Sequence, residues 1–113
     1  MPDTLVTDLR HYLDDRGQLP EMPGPALNLA LFQGAIVEWI TVRPTIGLEK
    51  TNVYCRRKPR VSRCMGAIIA RIEGLDRAIA WQCDKCGDNG VIRGWQNTIW
   101  DRRELDRGEE EPA

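Results

Sequence analysis

Four cysteines in a chain of 113 residues constrain this fold more than any other feature. Cys55 and Cys64 enclose eight residues, Cys83 and Cys86 enclose two, and eighteen lie between the pairs. A chain of this length buries a modest core, and small domains often take extra stability from a metal or from disulfides. The opening MPDTLVTDLRHYLDD lacks the basic and apolar regions of an export signal, so the cytoplasm is the expected setting. In a reducing compartment, spaced cysteines read as metal ligands or redox groups before structural disulfides. Four thiolates can close a tetrahedral zinc site. They can also stand as buried unligated thiols or bond to one another on oxidation, and Cys83 and Cys86 can work as a redox dithiol. A redox CxxC of the thioredoxin kind sits at a helix N-terminus, whereas GDNG follows it here.

The stretch CDKCGDNG, residues 83–90, lies between DRAIAWQC, which alternates weakly, and GVIRGWQNTIW, which has short apolar pieces around Gly94, and both read as short strands. A tight turn between them can aim backbone N–H groups at the sulfurs, with Gly87 free to take a left-handed conformation. TNVYC and GAIIARIEG read as two further strands, and EGLDR as the hairpin loop that joins GAIIARIEG to DRAIAWQC. Upstream, Leu5, Val6, Leu9, Tyr12 and Leu13 recur at helical spacing, with Asp3 or Thr4 as cap and Gly17 as stop. QLPEMPGP then breaks the helix. Pro25 suits the first position of a second helix, which the apolar density from Ala26 to Thr41 marks as buried. Asn28, Gln33 and Glu38 interrupt that run, so no membrane span is expected, although a helix apolar on several sides suits a homodimer interface over 25–41.

With these strands around it, WQCDKCGDNGVI resembles the knuckle of a zinc ribbon, and the likeness extends over residues 51–95. The resemblance implies one structural zinc beside a small antiparallel sheet, with Cys83 and Cys86 as one ligand pair and Cys55 and Cys64 as the other. The chain departs from that pattern in CRRKPRVSRC, where a ribbon has two to four residues between the first cysteines and this sequence has eight. The order of C, P, C, G, W, CxxCGD, W and WD also resembles a family of small bacterial proteins, a likeness that implies no activity.

The same long loop holds a concentration of charge. Residues 50–71 carry seven basic groups and no acid, in a chain of net charge −1. Arg56, Arg57, Lys58, Arg60 and Arg63 can meet phosphates, with Tyr54, Trp81 and Trp95 as stacking faces. They can equally offset the −2 charge of a zinc tetrathiolate. An acidic remainder argues against a protein built mainly for nucleic acid, so a protein partner ranks ahead of it. Trp39, Trp81, Trp95 and Trp100 read as core, with Trp81 and Trp95 placed to shield a metal from water. His11 is the sole histidine and has no nucleophile near it in sequence. The chain also lacks a phosphate loop, GxSxG and HExxH, so a non-enzymatic role is expected.

These readings give one α+β domain over residues 1–107. Two N-terminal helices, the second buried, pack on a three- to four-stranded antiparallel sheet that carries a zinc site of four cysteines. A disordered acidic tail over 108–113 completes the chain. The expected function is a zinc-ribbon-like module that binds a macromolecule, with a thiol redox protein as the alternative.

Overall fold

The computed structural model describes residues 4–42, 49–55 and 64–103. The elements are β1 (Leu5–Asp8), a 3-10 turn (Leu9–Tyr12), α1 (Gly24–Val42), β2 (Glu49–Tyr54), β3 (Ala67–Glu73), β4 (Ala78–Cys83) and β5 (Asn89–Arg93). The five strands form one mixed sheet in the order β1-β5-β4-β3-β2. β2 to β5 pair antiparallel, whereas β1 runs parallel to β5, with Leu5 opposite Gly90 and Asp8 opposite Arg93.

This corrects the expectation of two N-terminal helices on a purely antiparallel sheet of three or four strands. The first of those helices does not form. An isolated helix of this length is marginal in water, and the edge of β5 offers LVTD a complete ladder instead. Asp8 then ends the strand by accepting a hydrogen bond from the Arg10 amide, at 3.0 Å, which opens the 3-10 turn. Of the helical stripe read from the sequence, Leu9 is fully buried while Val6 is 63% exposed, a pattern set by the strand and turn.

The second helix and the β3–β4 hairpin form where the sequence places them. α1 buries Ala30, Gln33, Gly34, Ile36, Val37, Ile40 and Thr41, a stripe of three- and four-residue spacing that faces the sheet. By length and composition alone α1 also meets the requirement for a membrane span, contrary to the sequence expectation; in this fold that stripe is committed to the core. Glu73 and Ala78 close the hairpin through Gly74, whose φ of 81° is left-handed and favours glycine.

The core lies between α1 and one face of the sheet. Alternation along the strands puts Ile68, Ala70 and Ile72 opposite Cys83, Trp81 and Ile79, and Trp81 and Ile79 opposite Gly90 and Ile92. Each fully buried isoleucine contributes about 1.5–3 kcal/mol. Trp81 lies flat over Gly90, where an added Cβ would come within 2.6 Å of its ring, and meets Phe32 of α1 edge to face with centroids 5.4 Å apart. Trp100 packs directly on Gly34, and Arg102 clasps α1 through Glu38 and through its amide on the Thr41 hydroxyl. The segment 108–113, expected as a disordered tail, lies outside the described residues, as does part of the 1–107 domain.

Candidate metal centre

The two cysteine pairs meet at one end of the sheet. Cys55 follows β2, Cys64 precedes β3, Cys83 ends β4, and Cys86 stands in the turn to β5. All four Sγ atoms lie within 4.8 Å of one another. Cys55 Sγ is 3.7 Å from Cys86 Sγ, and Cys64 Sγ is 3.7 Å from Cys83 Sγ. Tetrahedral coordination with metal–sulfur bonds of about 2.3 Å separates neighbouring sulfurs by about 3.8 Å. A disulfide needs about 2.05 Å, and all four cysteines are free. The cluster therefore has the donor number and spacing to hold one metal ion. Cys55, Cys64 and Cys83 are buried and Cys86 is partly exposed.

Local chain geometry explains why the sulfurs converge. Cys83 donates its amide to the Asp88 carbonyl at 2.7 Å, closing the turn. Within it the amides of Lys85 and Cys86 both point at Cys83 Sγ, each at 3.4 Å. Gly87, with φ of 82° and no neighbour that a side chain would meet, is there for its backbone conformation. Burial pushes the Cys83 thiol up, but the two amides and the Cys64 thiol outweigh it and hold Cys83 down at about 7. Burial pushes Cys86 up, above the ordinary thiol range.

Three residues not singled out by the sequence reading hold the pairs together. Asp84 exchanges two bonds with Ala67: its amide donates to the Ala67 carbonyl at 3.0 Å, and Oδ1 accepts from the Ala67 amide at 2.9 Å. Gly66 accepts from the Cys55 amide at 2.8 Å, and a Cβ there would sit 2.5 Å from Cys83 Sγ. Thr51 supports the irregular β2–β3 register between Lys50 and Tyr54: its hydroxyl donates to the Ile68 carbonyl at 2.8 Å and accepts from the Val53 amide at 3.0 Å. The sequence signal for Gly66 and Asp84 was their place beside ligands, in CMG and CDKC; Thr51 carried none.

Other expected site residues fare differently. Arg56, Arg57, Lys58, Arg60 and Arg63 lie outside the described residues. Trp81 and Trp95 are buried, so neither offers a stacking face; Tyr54 is 55% exposed and does. Trp95 does not shield the cysteines. Its indole N–H donates to the Arg77 carbonyl at 2.7 Å, before the first residue of β4, while the knuckle follows the last. Trp39 is only partly buried, unlike the other three tryptophans. His11 is exposed on the 3-10 turn and is not one of the clustered ligands.

Fold and site together are consistent with a small α+β metal-binding module. The chain matches no protein-family model, no curated protein and no solved structure.

Proposed function

We propose that the protein is a non-enzymatic module with a structural zinc on Cys55, Cys64, Cys83 and Cys86, and that it acts by binding a macromolecule. The observation that carries this reading is the convergence of four Sγ atoms within 4.8 Å, from two chain segments far apart in sequence. Four soft, closely placed thiolates suit zinc, and a closed set of four protein ligands suits a structural role. Bound zinc would tie β2, β3 and the knuckle together and contribute on the order of 10 kcal/mol to folding. Free thiols fit a cytoplasmic setting.

Elemental analysis of full chain purified without chelator or added metal tests this. About one zinc per chain is expected. A folded, reduced, metal-free protein overturns it, and iron in place of zinc overturns the metal assignment. The Lys85 and Cys86 amides, each 3.4 Å from Cys83 Sγ, would stabilise a thiolate there, and this favours a second reading as a thiol redox protein. Cys83→Ser separates the two: loss of fold and metal supports the structural site, whereas an intact fold with abolished thiol exchange supports the redox reading. Partly exposed Leu31 on α1, at 45%, keeps a homodimer through residues 25–41 among the proposals, to be read from the mass in solution by light scattering.

A further inference from the structure

We infer that Cys86 makes the metal centre sensitive to peroxide: a peroxide oxidises Cys86, Cys55 attacks the oxidised sulfur, and the disulfide between them releases the metal. This rests on the reading of the cluster as a zinc site and gives that site a regulator. The four ligands are not equally open. Cys55, Cys64 and Cys83 are 1%, 8% and 3% exposed, whereas Cys86 stands in the turn to β5 and is partly exposed. A small uncharged oxidant therefore meets Cys86 first. Burial raises the free Cys86 thiol, but coordination deprotonates a thiol outright, and the thiolate is the nucleophile.

The chemistry balances in two steps. The Cys86 thiolate attacks the O–O bond of hydrogen peroxide, giving a sulfenic acid and hydroxide. A second thiolate attacks the sulfenic sulfur, forming the S–S bond and expelling a second hydroxide. The two sulfurs lose two electrons, and the peroxide takes both. Position selects the second thiolate. Cys55 Sγ is 3.7 Å from Cys86 Sγ and must close to about 2.05 Å. Cys55 follows β2 just where its register with β3 is irregular, so a regular ladder does not fix the backbone there. Cys83 is the nearer neighbour in sequence, but its Sγ accepts the Lys85 and Cys86 amides at 3.4 Å each and lies against Gly66. Swinging toward Cys86 would break both bonds and the turn that they shape. Cys64 Sγ is paired with Cys83 Sγ, at 3.7 Å. Once Cys55 and Cys86 are bonded, Cys64 and Cys83 are too few to close a tetrahedral site. The new bond still joins the end of β2 to the turn before β5, so it takes over a tie that the metal would make.

The test is hydrogen peroxide in small excess on the full chain, purified with its metal and freed of reductant. A colorimetric chelator follows metal release, dimedone traps sulfenic acid in a parallel sample, and non-reducing tryptic mapping finds the disulfide. Cleavage after Arg56, Arg63, Arg71 and Lys85 puts each cysteine on its own peptide, so every pairing has its own mass. Metal release in step with a Cys55–Cys86 peptide pair is expected, with dimedone on Cys86 before any other cysteine. Reduction with zinc added should restore the metal. A Cys83–Cys86 disulfide, first labelling at another cysteine, or a cluster inert to peroxide overturns the proposal. All readouts are taken on the wild-type chain, so none depends on a ligand variant folding. Metal is measured before peroxide is added. Its absence then sinks the module reading, whereas zinc present and retained after peroxide sinks the switch alone.

Discussion

Gly66 shows how a single residue can set the metal centre without contributing a ligand. Its missing side chain leaves room for Cys83 Sγ and for the Lys85 Cβ, which an added methyl would approach to 2.5 and 2.7 Å. Neither atom is the free end of a long side chain, so the knuckle itself must shift. If the cluster binds zinc as proposed, Gly66→Ala is expected to keep the fold's helix and central strands while surrendering that zinc more readily to a colorimetric chelator than wild type does. Equal retention would mean that the knuckle adjusts freely. Gly87 was legible from sequence because a turn after CxxC needs a residue at positive φ. The role of Gly66 was not, since its crowding comes from residues about twenty positions along the chain.

The two edge strands, β2 and β1, each depend on one polar side chain. The Thr51 hydroxyl serves the Ile68 carbonyl and the Val53 amide where the β2–β3 register slips, immediately before Tyr54 and Cys55. Thr51→Val leaves both backbone groups without that partner, and is expected to cost about 1–3 kcal/mol in urea denaturation. β1 depends on Asp8, whose carboxylate holds the Arg10 amide and guanidinium and packs over Gly94. The hydrogen bond from the Arg10 side chain, set against burial, holds Asp8 at about 2 instead of 3.8. A depressed folded value means stability that is present above 3.8 and lost as pH falls toward 2. The Tm difference between wild type and Asp8→Asn should thus stay constant above pH 4 and close between 3.8 and about 2. Any metal held by the cysteines would be lost alike by both proteins in acid, so the difference isolates this carboxylate. The difference should be small, because Arg10 is 70% exposed.

At the scale of the molecule, the fold is a hydrophobic sandwich of one helix on one sheet, with the cysteine cluster at one end and Trp95 at the other. Trp95 is fully buried, bonded to Arg77 and covered by Arg103, whose guanidinium lies 4.7 Å from the ring. Stripping metal should consequently loosen the cysteine end first. Hydrogen exchange after chelation is expected to rise at Cys55 and at Cys83–Asp88 before it rises in the Ile79 and Ile92 region; uniform loss of protection would show that the two ends unfold as one. The local chemistry of this chain was readable without tertiary structure: the buried helix, the β3–β4 hairpin and the knuckle follow from side-chain period, turn residues and cysteine spacing, which act over a few neighbours. Only tertiary structure decided that residues 5–8 are a strand, because that depends on the free edge of β5 some eighty positions away outcompeting a marginal helix. The same holds for the meeting of Cys55 and Cys64 with Cys83 and Cys86. Spacing makes four thiols available, and the β2–β3–β4 ladder brings their sulfurs within reach of one ion.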